Sequence, residues 1–279
     1  MIRLRDHCFL KYIRNIRIFV LVPCEASIMI GYMTIVAVAI FATAVPSNGL
    51  SSRIVGGATV SRFDEIPYQV SVQLNGRHYC GGVIISETYV LTAAACVSAG
   101  GINQYSIKSG TANLQYGGTI HRVSQIIKHP SFYVNSDSIP VNDIAIIKIQ
   151  NTFSFDGSRD AIPLLNKPAL VGSFAKISGW GWMNSTFPSQ LQKGNVNILN
   201  TNYCSKTHYQ GRLPAGQICA ALTGQDACQA DAGGPLAVGV HLVGIISWGK
   251  GCALGQYPGV YTEIFYHRNW ITAQTGIKN

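Results

Sequence analysis

From Tyr68 to Leu74 the chain reads YQVSVQL, apolar and polar side chains in alternation, the pattern of a strand that buries one face. The stretch GVIISETYVLTAA (82–94) is dense in β-branched and aromatic residues, and DIAIIKI (143–149) is a short, almost unbroken apolar run. GSFAKISGWGW (172–182) and LVGIISWG (242–249) continue the pattern. Gly, Asn, Ser and Pro punctuate these runs at short, regular intervals, which predicts an all-β sandwich or barrel. One helix is predicted, at the end of the chain, where Ile264, Phe265, Trp270 and Ile271 recur at helical spacing. IPLLNKPALVG (162–172) holds two prolines and little alternation, and reads as a connector between two halves. No repeat of solenoid or propeller period is found.

The pattern changes near the beginning of the chain. Ile28–Val45 is an uncharged apolar run preceded by Arg3, Arg5, Lys11, Arg14 and Arg17, and it ends in the small-x-small sequence Ala42-Thr43-Ala44. A run of this length is near the lower limit for a membrane-spanning anchor. Gly31, Tyr32 and Thr34 dilute it, however, and the cleavage pattern is well placed, so residues 1–44 read as a signal peptide. The stretch before the run is long for a signal, which leaves Met29 or Met33 as alternative starts. A secreted, extracellular protein follows from this reading, with no stable membrane insertion once the signal is removed.

Composition adds less. From Ile54 on there are fifteen Lys and Arg against ten Asp and Glu, a modest and unclustered surplus that gives no reason to expect a nucleic acid or an acidic polymer as partner. Six cysteines follow the leader, Cys80, Cys96, Cys204, Cys219, Cys228 and Cys252. An even number behind a secretion signal reads as three disulfides, whose pairing the spacing leaves open. No CxxC or clustered Cys/His spacing suggests zinc, and no cofactor or metal is expected. Asn184-Ser185-Thr186 is a glycosylation acceptor.

Several short motifs stand in order along the rest of the chain. Arg53 precedes Ile54-Val55-Gly56-Gly57. CGGVIISETYVLTAAAC spans 80–96, NDIAIIKI 142–149 and SGWG 178–181. DACQADAGGP (226–235), SWGKGCA (247–253) and YPGVYT (257–262) follow. In order and spacing they resemble the trypsin/chymotrypsin family of serine proteases over nearly all of Ile54–Asn279. The resemblance implies two antiparallel Greek-key six-stranded β-barrels, approximately 54–165 and 166–279, with a cleft between them and a C-terminal helix. It implies an activation propeptide, 45–53, cut after Arg53 so that the freed Ile54 amine pairs with Asp231. It also implies the disulfides Cys80–Cys96, Cys204–Cys219 and Cys228–Cys252.

The family's chemistry needs a serine hydroxyl, a histidine to take its proton, an aspartate to orient that histidine, and N–H donors for the oxyanion. The aspartate position is Asp143. The histidine position holds Ala95 and the serine position Ala232, and a methyl group neither gives nor takes a proton. Ala230 stands where the family places the glycine of the oxyanion hole, and loss of one such donor costs about 10²–10³ in rate. His78 is the one other histidine expected near the cleft, and it reads as a packed, hydrogen-bonded core residue. Ser247 is expected beside Asp143, holding it. The resemblance places Asp226 at the base of the primary specificity pocket, with Gly249 and Gly259 as small wall residues and Ser247-Trp248-Gly249 as the strand that meets substrate backbone. Such a pocket would take Arg or Lys if it is open; the competing expectation is a pocket that has collapsed.

These residues point to a secreted pseudoprotease, expected to be monomeric, that acts by binding proteins as a decoy, inhibitor or scaffold. The alternative is an active trypsin-like endopeptidase cleaving after Arg or Lys, seen as an inactivated variant. Ala230 and the retained leader would serve no purpose in an enzyme disabled by design, and they favour natural inactivation. The pattern of losses is similar to the inactivated trypsin-like paralogues of parasitic mites, relatives of mite trypsin-type allergens, members of which bind host complement proteins. Complement proteins and protease inhibitors are therefore the partner classes expected.

Overall fold

The computed structural model of the chain describes residues 57–62, 65–181, 188–222, 231–250 and 257–278, all within the unit Gly49–Asn279. The leader, Arg53, Ile54, Asn184, Asp226, Cys228, Ala230 and Cys252 lie outside the described residues. In chain order the strands are β1 (Ala58–Thr59), β2 (Gln69–Leu74), β3 (Arg77–Ile84), β4 (Tyr89–Thr92) and β5 (Tyr105–Ser109). Next come β6 (Thr119–Lys128), β7 (Tyr133–Val134), β8 (Pro140–Val141), β9 (Ala145–Ile149) and β10 (Phe174–Gly179). The remaining elements are β11 (Gln192–Ile198), helix α1 (Thr201–His208), β12 (Gln217–Ala221), β13 (Pro235–Val238), β14 (His241–Trp248), β15 (Gly259–Glu263) and helix α2 (Ile264–Thr275).

Two antiparallel barrels result. The first closes in the order β2-β3-β4-β9-β6-β5. The second runs β11-β10-β13-β14-β15-β12 and closes through β11–β12, with β1 added at the edge on β11. Numbered within each barrel, both follow one cyclic order, 1-2-3-6-5-4, the Greek-key arrangement. Closure removes the exposed edges that an open sheet would present for aggregation.

The unbroken apolar run at 143–149 has a physical reason. Ala145, Ile147 and Ile149 face the first barrel's core, with Val70, Val72, Ile84, Ile107 and Phe153. Ile144 and Ile146 point the other way, into a layer shared with Ala237, Leu242 and Ile245 of the second barrel and with Ile264 and Ile271 of α2. Both faces of β9 are buried, so alternation disappears. A third cluster, with Ile177, Val196, Ile198, Val243 and Tyr261, fills the second barrel. Residues 162–172 form no strand of any length and join the two barrels, as a connector should.

Three local features differ from the pattern reading. The 82–94 stretch is two strands, because Ser86 Oγ accepts the N–H groups of Thr88 (3.3 Å) and Tyr89 (3.1 Å) and turns the chain. A second helix, α1, occurs where none is predicted. Its start is fixed by the Asn200 side chain, which accepts the Tyr203 N–H at 2.9 Å, and by the buried Cys204. In α2 the buried face is Ile264, His267 and Ile271, whereas Phe265 is 39% exposed. His267 binds the Glu263 carbonyl through Nδ1 (2.8 Å) and meets Asn142 Oδ1 through Nε2 (3.1 Å). Burial holds its pKa down to about 4, so the ring is neutral at physiological pH, has a single N–H to donate, and packs α2 against the residue preceding Asp143.

Candidate functional site

The first barrel contributes two segments to the site. Beyond β4 the chain enters a short 3-10 turn, Ala95–Val97, fastened to β3 by the Cys80–Cys96 disulfide. Just before β9, Asp143 is almost fully buried (1% exposed). Its Oδ1 accepts the Ala95 N–H at 2.9 Å, and its Oδ2 accepts the Ser247 hydroxyl at 2.6 Å. Thr262 Oγ1 donates to the Asp143 carbonyl at 2.9 Å, which fixes the backbone as well. Burial pushes the Asp143 carboxyl pKa upward, against the opposing pull of the Ser247 hydroxyl and the Ala95 and Ala94 N–H groups. The carboxylate is thus held in place at a position whose neighbour, Ala95, is exposed and ends in a methyl group.

From the second barrel comes the turn 231–234. The Gly81 N–H donates to the Ala232 carbonyl at 2.8 Å, and Cys96 Sγ lies 3.5 Å from the same oxygen. Ala232 therefore sits against the segment that carries Ala95. Gly233 has φ +83°, and a Cβ there would fall 2.2 Å from Thr92 Oγ1 and 2.4 Å from the Gly81 carbonyl oxygen. Only glycine fits this turn. The Gly234 N–H returns to the Asp231 carbonyl and the Gly233 N–H to Ile246, each at 2.8 Å, which locks the turn onto β14.

Asp231 itself is fully buried, and its Oδ1 accepts the Gly181 N–H at 2.7 Å. A Cβ on Gly179 would lie 1.9 Å from Oδ1, and one on Gly181 2.3 Å from Oδ2. The alternating glycines of SGWG are therefore the walls of a slot for this carboxylate. Trp180, between them, points the other way and donates through Nε1 to the Ala112 carbonyl at 3.1 Å.

Trp248 and Gly249 continue from Ser247 at the end of β14 and line a cavity of about 280 Å³, with Lys250, Ile139, Asp137, Tyr209 and Arg212 opposite and around them. Tyr209 packs edge-on against Trp248, ring centroids 5.0 Å apart. Lys250 Nζ stands 5.8 Å from the Tyr209 ring centre and 5.2 Å from that of Tyr257. Arg212 pairs with Asp137 at 3.0 Å. The wall is aromatic, with two cations against one carboxylate at the rim. Sequence reading names Trp248 and Gly249 but assigns no role to Lys250, the next residue of SWGKGCA, nor to Ile139, Tyr209 and Arg212, which lie far from it in the chain and outside the quoted motifs. Gly259 opens β15, paired with Ala220 of β12. The second described disulfide, Cys204–Cys219, ties α1 to β12. His78 is part of the packing: its Nδ1 meets Ser71 Oγ at 2.8 Å and its ring stands edge-on to Trp180.

Two barrels of one topology, a buried aspartate beneath a cleft and a glycine-locked turn opposite define a serine-protease scaffold. The family model described as Trypsin matches residues 54–271, and the chain belongs to that family. It is 41% identical over 229 residues to trypsin delta of Drosophila melanogaster, covering 80% of this chain and 88% of that protein. Trypsin alpha of the same fly is 40% identical over 231 residues, with the same coverage. Among solved structures, neuropsin, a serine protease expressed in the limbic system of mouse brain, superposes with a TM-score of 0.72 at 33% identity. That match covers 78% of this chain and 98% of neuropsin.

Proposed function

We propose that this chain is a secreted, proteolytically inactive trypsin-family protein that works by binding another protein across its cleft. One observation carries the reading. Asp143 is still buried and held by Ser247, yet the residue it would orient is Ala95, and the residue opposite, in the glycine-locked turn, is Ala232. Covalent acyl transfer needs a nucleophile with a removable proton and a base to remove it. Neither alanine supplies one, and loss of such a set removes about six orders of magnitude in rate. The names of the relatives, trypsins, favour the alternative of an endopeptidase seen in inactivated form. The alanines are the departure from it; among the described residues Asp143, its Ser247 partner and the turn 231–234 are kept.

What remains is a surface that can hold an extended segment, with the aromatic cavity beside Trp248 as its anchor point. Aromatic and arginine residues around a pocket dominate many protein contacts. The immobilised protein is expected to retain proteins from an extracellular fluid such as plasma. Trp248→Ala together with Lys250→Ala should lower that retention about tenfold or more, as for a central anchor. Complement components and protease inhibitors are the classes to identify in the eluate. Retention unchanged by the double substitution would contradict binding at the cleft.

A further inference from the structure

The connector 162–172 takes no part in the cleft, yet it ends in an exposed apolar turn. Seven large apolar side chains among the described residues are at least 60% exposed. Four of them, Leu170 (70%), Val171 (62%), Phe174 (60%) and Val240 (71%), gather at one end of the second barrel. The Ser173 N–H closes the turn on the Leu170 carbonyl at 3.1 Å, and Phe174 opens β10. β10 pairs with β13 through Lys176↔Ala237 and Ile177↔Leu236. Continuing that register sets Phe174 beside Gly239 and Ser173 beside Val240, at the tip of the β13–β14 hairpin that Val238↔His241 closes.

Both tips project from the body of the protein. A Cβ built on Gly172 or on Gly239 meets no atom within 4 Å. The base of the connector is fixed, because Arg268 of α2 donates to the Leu164 carbonyl at 3.1 Å. Charge around the tips has one sign. No Asp or Glu occurs from Ala161 to Ser178 or from Pro235 to Trp248, whereas Lys167 and Lys176 are exposed and Lys176 shares the outer face of β10 with Phe174.

We propose that this end of the second barrel is a contact face for an anionic lipid surface. Leu170, Val171, Phe174 and Val240 enter the headgroup region, and Lys167 and Lys176 pair with lipid phosphates. Exposed apolar area larger than isolated side chains marks an interaction site. Its shape and composition select the occupant. The face is convex, made of two protruding turns, and lacks the Tyr, Trp and Arg that anchor protein contacts. Apolar tips flanked by cations with flexible stems suit a bilayer interface, where the tips bury and the amines reach the headgroups. The cleft is elsewhere, so this inference holds whether or not the site is catalytically silent.

The test is co-sedimentation of the whole chain, recovered in soluble form, with phosphatidylcholine vesicles with and without phosphatidylserine. The protein should bind the phosphatidylserine vesicles, and Phe174→Ser with Val240→Ser should weaken that binding about tenfold or more. Lys176→Glu should weaken it as well, while Tyr116→Ser, which removes an exposed ring from the β5–β6 loop, should leave it unchanged. All four side chains are at the surface, and equal melting temperatures check that the variants are folded. Trp emission from Phe174→Trp should shift to the blue on phosphatidylserine vesicles. No binding by the parent protein would overturn the proposal. Undiminished binding by the Phe174/Val240 double variant would overturn it too, since it would reduce the effect to adsorption of a cationic protein.

Discussion

The variant carrying Ala95→His, Ala230→Gly and Ala232→Ser, cleaved after Arg53, is expected to hydrolyse an arginine amide substrate at least about 10³-fold faster than the unmodified protein. The expectation rests on what the scaffold keeps. Asp143 is buried, with Oδ2 on Ser247 and Oδ1 directed to the backbone of residue 95. A histidine there begins beside a carboxylate already placed to hold one ring nitrogen. The turn that presents residue 232 is fixed from both sides, by Gly81 and by Ile246, and its glycine conformation at 233 is intact. Ala232→Ser alone should stay at background, because a serine without a base is a poor nucleophile at neutral pH. The effects are those of a unit and do not add. An inert triple variant, folded and cleaved, would mean that the frame is disabled beyond the three alanines.

Gly179→Ala is expected to lower stability by roughly 3 kcal/mol or more, the combined cost of overpacking a filled interior and pulling a buried carboxylate off its hydrogen bond. The new methyl carbon would lie 1.9 Å from Asp231 Oδ1 and 2.8 Å from its Cγ, far inside contact distance. Asp231 cannot retreat without losing the Gly181 N–H, at 2.7 Å, and its backbone is tied into the turn through Gly234. For a domain of this size about 2–4 °C of melting temperature accompanies each kcal/mol, so a fall on the order of 10 °C should appear in a thermal scan. Gly101→Ala is the control: nothing lies closer than 3.9 Å to its Cβ, and its effect should stay within about 1 kcal/mol. A Gly179→Ala protein that melts with the parent would show that the slot around Asp231 is looser than its geometry.

The strands were legible where local pattern and burial agree. YQVSVQL alternates because Val70 and Val72 of β2 enter the first core. Gln69, Ser71 and Gln73, buried on the other face, meet the polar groups of Ser178, His78 and Ser106, so this strand buries both faces and not one. DIAIIKI is continuous because both faces of β9 meet apolar cores. Motif spacing located Ala95, Asp143, Ala232 and Ser247, which the fold brings together from positions up to 152 residues apart in number, Ala95 to Ser247. Helix α1 was not legible: TNYCSKTH buries only Cys204 and has no apolar stripe, and its start depends on the Asn200 cap. Helical spacing includes Phe265, which is exposed, and leaves out His267, which is buried. His267 is held inside by its contact with Asn142, an effect of tertiary structure that helical periodicity cannot carry. Of the aromatic cavity only the wall Trp248-Gly249-Lys250, within SWGKGCA, is legible in the sequence, since Ile139, Tyr209 and Arg212 reach it only once the chain has folded. The glycines of SGWG could be recognised as a motif, but their purpose appears only with Asp231 between them.

The claim that the cleft has lost its chemistry is tested most directly by turnover of an arginine amide substrate by the unmodified protein, cleaved after Arg53 and free of contaminating protease. No hydrolysis above the rate of the heat-denatured sample is the predicted result. Steady turnover that co-purifies with the chain and disappears on Asp143→Asn would contradict the account.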